Sequence, residues 1–310
     1  LEAGGGIYYT VKMTRKASAS ELADQAYPRL VVMAWEGTVH VESKTGYGLT
    51  GEHELKMLEA MDLLQVMAPY MGITKTLLAH VVPEEYGDRR EEYIEHFTKQ
   101  LIPAAKEKGA EFVDVFCDRG AFTVEETRRI LSAAAAYGMK LRLHSDELAD
   151  IGCSRLALEY TLYSMDHLEH LPPTIIPALA NTRTVATLLP TSMLSVFSEK
   201  KPPVEELKKH GVYIGLATDL NPNNMTPSMR HVVELAVYLY KLTPLEALAA
   251  ATVNAAYSLG LEGVLGRIVE GTNPGLIIWD FDSVKKIGYE WGYDTILAVV
   301  RRDGAIVYHY

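Results

Sequence analysis

Three strand-like runs of this chain end in residues that can hold a metal ion or move a proton. Lys140-Leu-Arg-Leu-His-Ser-Asp-Glu147 carries His144, Met165-Asp-His-Leu168 carries His167, and Ile214-Gly-Leu-Ala-Thr-Asp219 carries Asp219. Neutral imidazole and carboxylate are suitable ligands for zinc, iron or manganese. A catalytic metal takes about three protein ligands and keeps one position open for water. A single strand-end histidine most often does no more than cap a backbone group; three chemically capable strand ends together favour a metal site. Glu147 follows His144 by three positions, on the loop leaving the strand. A carboxylate there can face a metal-bound water and act as general base, then as acid. Glu42-Ser-Lys-Thr-Gly-Tyr-Gly-Leu49 offers Lys44 and Tyr47 on a glycine-rich turn, a cation and a hydroxyl suited to a carboxylate-bearing ligand. His80 closes Leu77-Leu-Ala-His80 and is expected to donate to a ligand carbonyl, while Asn221 is placed to bond a polar substrate group. Cys117 has no identifiable base and reads as a buried thiol, and neither Ser154 nor Ser164 stands in a nucleophile elbow.

The elements that must position these residues alternate. Apolar runs at Thr38–Ser43, Ile73–His80, Glu111–Cys117, Lys140–Ser145, Ser164–Leu168, Thr184–Pro190 and Tyr213–Asp219 read as strands. Amphipathic segments at Glu52–Tyr70, Asp88–Lys108 and Val124–Tyr137 read as helices. Strands alternating with helices imply a parallel sheet, and continuously apolar strands imply burial on both faces. Two features select a TIM barrel over an open doubly wound sheet. Thr45-Gly46-Tyr47-Gly48 lacks the third glycine of a phosphate loop. Lys44, His80, His144, His167 and Asp219 also recur at strand C-termini, where barrel enzymes build their sites. Seven βα units are visible against the eight of a closed barrel, so strand one is expected to be missing. At the N-terminus, Gly4, Gly5 and Gly6 read as a loop, and Ser18 or Ser20 is the N-cap candidate of a helix running through Leu30 and Met33. After Gly260 the pattern becomes short strands at Leu276–Trp279, Thr295–Val300 and Ala305–Tyr308, with Arg302-Asp303-Gly304 as a hairpin turn. Residues 1–262 are accordingly assigned to a barrel incomplete at its N-terminus, and 263–310 to part of a small β-sandwich domain.

Composition narrows the function classes. The 310 residues are 48% hydrophobic and 23% charged, enough for one large α/β domain. The net charge of −10, with scattered basic residues, argues against a nucleic-acid partner. Cys117 and Cys153 form no Cys-x-x-Cys pair, which argues against a disulfide framework and a thiolate zinc site. No apolar run approaches the roughly 20 residues of a membrane helix, and the cytoplasm is the expected location.

The segments GTVHVESKTGYGL, AHVVPEEY, FVDVFCDRGAF, LHSDE, MDHL, VATLLP, ATDLNP and GLIIWD occur in this order, after GGGIYYTV near the start. Together they resemble the imidazolonepropionase family of amidohydrolases over essentially the whole chain. The resemblance implies hydrolysis of the cyclic amide 4-imidazolone-5-propionate to N-formimino-L-glutamate in histidine catabolism. It implies one divalent metal, zinc or iron, held by His144 and Asp219; Glu147 acting on the hydrolytic water; His167 assisting proton transfer; and Tyr47, His80 and Asn221 contacting a small-molecule substrate in a homodimer. Amidohydrolases of this kind also carry a His-x-His pair at the end of barrel strand one, and a substrate-binding Arg soon after. Neither is found here, and both are expected upstream of Leu1. Two alternatives stay open: another cyclic amidohydrolase or deaminase, and an inactive chain that lacks the His-x-His metal motif.

Overall fold

A computed structural model describes residues 7–272 and 274–309; the loop expected at Gly4–Gly6 lies outside them. Seven strands form one parallel sheet in sequential order. They are β1 (His40–Lys44), β2 (Gly72–Ala79), β3 (Phe112–Cys117), β4 (Lys140–Ser145), β5 (Leu162–His167), β6 (Val185–Leu188) and β7 (Ile214–Leu216). Each matches an apolar run of the sequence, and the core they share is built from residues such as Leu77, Val113, Val115, Leu141, Leu143 and Met165.

The sheet curls, and its ion pairs require it to. Lys44 on β1 reaches Asp166 on β5 at 3.0 Å, and Glu42 on β1 reaches Arg142 on β4 at 3.1 Å. With neighbouring strands about 4.8 Å apart, a flat sheet would separate β1 from β5 by roughly 19 Å, beyond the reach of these side chains. The curled sheet stays open: among the described residues, β1 pairs only with β2 and β7 only with β6. This is a TIM-type barrel short of one strand.

Helices cover the outer face. Ala19–Trp35 begins with a capping box between Ser18 and Glu21, as the Ser-x-x-Glu spacing predicts, and packs Leu30 and Met33 against Leu64 and Met71. The preceding helix, Ile7–Lys16, was not foreseen. The single helix expected over Asp88–Lys108 is instead three joined pieces, with a π turn at Phe97–Leu101. Pro103 follows that turn; its missing N–H and its ring disfavour regular α pairing one turn back. Pro190 belongs to the helix Pro190–Ser195 rather than to β6, since proline fits the first turn of a helix and not a central strand.

The C-terminal strands β8 (Leu276–Trp279), β9 (Ile296–Val300) and β10 (Ile306–Tyr308) form a separate antiparallel sheet, closed at Gly304 by the expected turn. His309 binds it to the first half of the chain, with Nε2 2.8 Å from the Trp35 carbonyl. Among the described residues no helix is long and apolar enough to cross a membrane.

The expectation against a disulfide is overturned. Cys117, at the end of β3, and Cys153, after β4, form a disulfide with their Cα atoms 5.9 Å apart. Their 36-residue separation carries no signal of pairing; β3 and β4 are neighbours, with Cys117 beside Ser145, and the loop after β4 returns Cys153 to the end of β3.

Candidate active site

Tyr47, His80, His144, Glu147, His167, Asp219 and Asn221 all line one cavity of about 1360 Å³ at the C-terminal ends of the strands. It exceeds the usual 300–1,000 Å³ of a small-molecule site because it continues down the opening between β1 and β7, past Val41 and Leu216. Along one wall runs a series of ring contacts: Tyr47 to His80 at 5.3 Å, His80 to Phe116 at 5.7 Å, Phe116 to His144 at 6.2 Å, and His144 to His167 at 5.2 Å between centroids. His167 Nε2 lies 3.7 Å from Glu147 Oε2. Non-glycine residues with left-handed backbone gather here: Leu49, Asp146, His167, Leu168 and Asp219. Such conformations persist only where the surroundings over-determine them, and they tend to mark functional sites.

The two candidate metal donors are each oriented by a partner. His144 Nδ1 lies 2.9 Å from Asp114 Oδ2 on β3, which leaves Nε2 for the cavity. A carboxylate behind a ligating imidazole is the usual means of fixing its ring and tautomer. Asp219 accepts a hydrogen bond from Asn221 Nδ2 at 2.9 Å, and the same amide donates to the Asp219 carbonyl at 3.0 Å. Asn221 Oδ1 accepts from the backbone of Asn223. The Asn221 side chain thus holds Asp219 within the cavity that both line.

Lys44 departs from expectation. Its ammonium is not offered to a substrate; it bonds Asp114 and Asp166 and lies 3.5 Å from Glu42. Asp114, His144 and Asp166 come within 4.8 Å of one another, a spacing a metal ion could bridge. The Lys44 ammonium already stands among them, so this group is a self-neutralised ion cluster in the cavity wall rather than a metal site. Burial alone would raise Asp114 and Asp166, yet Asp114 is held low by His144 and Lys44, and Asp166 by Lys44, Arg142 and His144. Burial likewise opposes the charge on Lys44, and Asp114, Asp166 and Glu42 outweigh it.

Two pKa shifts define what the wall carrying Tyr47 and His80 presents. Burial pushes His80 down to about 4, so its imidazole is neutral at pH 7. His80 Nδ1 lies 3.0 Å from the Gly46 carbonyl, which can only accept. The proton therefore sits on Nδ1, and Nε2 is an acceptor, not the donor anticipated from sequence. Burial, with the charges of Asp219 and Glu147, raises the Tyr47 phenol, which stays protonated as a donor. The Tyr47 loop is itself held by Glu54, whose buried carboxylate accepts from the backbone N–H groups of Gly46, Gly48 and Leu49 at 2.8, 2.8 and 2.5 Å.

Sequence reasoning missed the supporting residues: Glu54, Asp114, Asp118, Arg142 and Asp166. A signal existed for three of them. Asp114, Arg142 and Asp166 interrupt strands that are otherwise apolar, and a charge inside a doubly covered strand needs a buried partner.

Residues 41–308 match the amidohydrolase family. An imidazolonepropionase from Pyrobaculum arsenaticum is 44% identical over 299 residues, which cover 96% of this chain and 73% of the relative. One from Photobacterium profundum is 38% identical over 98% of this chain and 74% of its own length. Among solved structures, a zinc-bound adenosine deaminase from Xanthomonas campestris superposes with a TM-score of 0.67 at 17% identity, over 92% of this chain and 70% of that one. An atrazine chlorohydrolase from Arthrobacter aurescens complexed with zinc gives 0.64 at 16%, over 91% and 71%. The structural neighbours share the fold. The sequence relatives go further, and with them the chain belongs to the imidazolonepropionases of the amidohydrolase family.

Proposed function

We propose that the protein hydrolyses 4-imidazolone-5-propionate, adding water across the lactam C–N bond to give N-formimino-L-glutamate. The observation that carries this reading is the meeting of Glu147, His167, His144 and Asp219 with a donor phenol, Tyr47, and an acceptor imidazole, His80, in one cavity. One divalent metal, zinc or iron, would be held by His144 through Nε2 and Asp219 through its carboxylate, two of the about three protein ligands such an ion takes, with His167 lining the same cavity. Such an ion, when bound, polarises the lactam carbonyl and makes water easier to deprotonate.

The chain's own residues do the rest. Glu147 accepts the proton of the attacking water and returns one to the ring nitrogen as the C–N bond breaks. His167, 3.7 Å from Glu147, steadies that carboxylate and can share the proton. His80 Nε2 accepts from a ring N–H, and the Tyr47 hydroxyl donates to the propionate carboxylate. This reading implies a cytoplasmic homodimer acting on a small molecule, with residues 263–310 as part of a small β-sandwich. Both cysteines of the disulfide are fully buried, which shields the bond from reductants.

The test measures metal content first, so that an unfilled site is distinguished from absent chemistry. Metal-loaded protein is expected to release N-formimino-L-glutamate from 4-imidazolone-5-propionate, and to turn over far more slowly a cyclic amide without the propionate arm. A loaded protein that prefers adenosine, or that hydrolyses neither cyclic amide, contradicts the proposal.

A further inference from the structure

Glu147 lies in a bend outside any strand or helix, so no ladder of backbone hydrogen bonds fixes it. Its backbone is held instead by two side chains. From one side, Asp118 Oδ2 accepts from the N–H groups of Glu147 and Leu148 at 2.8 and 2.9 Å, while Oδ1 accepts from Ala149 at 3.0 Å. From the other side, His170 Nδ1 donates to the Glu147 carbonyl at 2.8 Å, and the His170 N–H donates to the Asp146 carbonyl at 2.7 Å. Asp118 is buried and follows Cys117 directly, while Cys153, bonded to Cys117, lies just beyond the held loop. Neither Asp118 nor His170 lines the cavity.

We propose that Asp118 and His170 are positioning residues: they clamp the backbone of Glu147 from both sides and thereby aim its carboxylate into the cavity beside His167. The proposal rests on the reading of Glu147 as the proton-transferring base. A carboxylate suits one side because an ionised acceptor forms stronger bonds to N–H groups than a neutral one, and its two oxygens can serve all of them. A donor is needed on the other side because a carbonyl only accepts. Asp118, directly after β3, and His170, three residues past His167, thus acquire a common role, although neither lines the cavity. The precision is needed because a displacement of about 1 Å at a reacting group can cost about 100-fold in rate.

The experiment compares Asp118→Asn, His170→Ala and His170→Asn in the metal-loaded protein. Amide hydrogen exchange is read at residues 147–149, and kcat and KM are read separately. Asn at position 170 retains a side-chain N–H close to the place of Nδ1, so it tests the donor rather than the bulk. Asp118→Asn and His170→Ala are each expected to speed exchange at these amides by at least about tenfold, the scale of one lost hydrogen bond, and to lower kcat by a similar factor with little change in KM. His170→Asn should restore most of both. His170 is only partly buried, so its two variants keep the test decisive if Asp118→Asn fails to fold. Unchanged protection at residues 147–149, or equal behaviour of His170→Ala and His170→Asn, overturns the clamp. Glu147→Gln is measured alongside. An inactive Glu147→Gln together with fully active clamp variants overturns the clamp alone, whereas an active Glu147→Gln removes the base and the positional role with it.

Discussion

The middle of the sheet and its two outer strands bring residues to the same cavity by different means. His144, Glu147 and His167 come from β4 and β5, strands paired on both sides. They are further held by Asp114, by Asp118 and by the Cys117–Cys153 bond. Tyr47 and Asp219 follow β1 and β7, each paired on one side only, and β7 is just Ile214–Leu216. There the loops are held by side chains: Glu54 gathers the Tyr47 loop, and Asn221 and Asn224 hold Asp219, with Asn224 Nδ2 3.1 Å from the Asp219 carbonyl. A functional side chain on an outer strand takes its orientation from loop hydrogen bonds, because half of its strand's ladder is unpaired. Rigidity is therefore expected to be greatest around Glu147 and least around Asp219.

The buried ion cluster is where this contrast can be broken most forcefully, since Lys44 ties outer strand β1 to β3 and β5. Lys44→Met leaves Asp114 and Asp166 short of their shared cation and should cost about 3–5 kcal/mol in urea unfolding, the usual penalty for a buried charge without its partner. An exposed pair such as Lys99–Glu95 should contribute under about 1 kcal/mol. Equal effects for the two would mean that Lys44 does not brace the sheet.

The disulfide is next. Replacing Cys117 and Cys153 together with alanine removes a cross-link between residues 36 apart and should lower stability by about 3–4 kcal/mol in the chain-entropy account. Exchange should quicken around residues 117–153 more than in β1 or β7. Loss concentrated at the outer strands instead would reverse the assignment of rigid and loose halves.

Glu147→Gln tests the rigid half through its chemistry. It should lower kcat by at least about 100-fold, the usual contribution of a general base, while metal content stays unchanged. Near-normal turnover would take Glu147 out of the reaction.

A smaller effect comes from pH. Burial lifts the Glu169 carboxyl to about 7, against the partial opposition of His167. The folded chain thus holds that proton more tightly than the unfolded chain does. The corresponding stability is fully present below the unfolded value of 4.5 and is lost as pH rises through about 7. In metal-free protein, Glu169→Gln should flatten this decline and raise stability at pH 8 by on the order of 1–3 kcal/mol. A variant with the wild-type pH profile would show that Glu169 is not the group responsible.

How much of this was legible in the sequence follows from what each feature depends on. The strands were legible because doubly covered strands are continuous apolar runs; Lys140–Ser145 has the same limits in sequence and structure. That the strand ends share one cavity was legible because a parallel barrel gathers its C-termini at one mouth. The disulfide was not, since it depends on how the loop after β4 folds back to the end of β3, which no local pattern encodes. Glu54 looked like an ordinary helix residue, and its carboxylate is a clasp only because the Tyr47 loop folds back over it. The acceptor role of His80 required knowing that its Nδ1 meets the Gly46 carbonyl. The hold of Asn221 on Asp219 was not legible either, since it depends on how the loop after β7 folds.

His144 from the rigid half and Asp219 beyond the outer strand β7 are proposed to hold one divalent metal between them. The decisive measurement is zinc and iron titration of the wild type, His144→Ala, Asp219→Ala and His210→Ala, His210 lying outside the cavity. Either cavity variant should weaken the metal by more than the roughly 10–100-fold loss typical of an outer partner, while His210→Ala should bind as the wild type does. Undiminished binding in His144→Ala or Asp219→Ala would remove the shared metal.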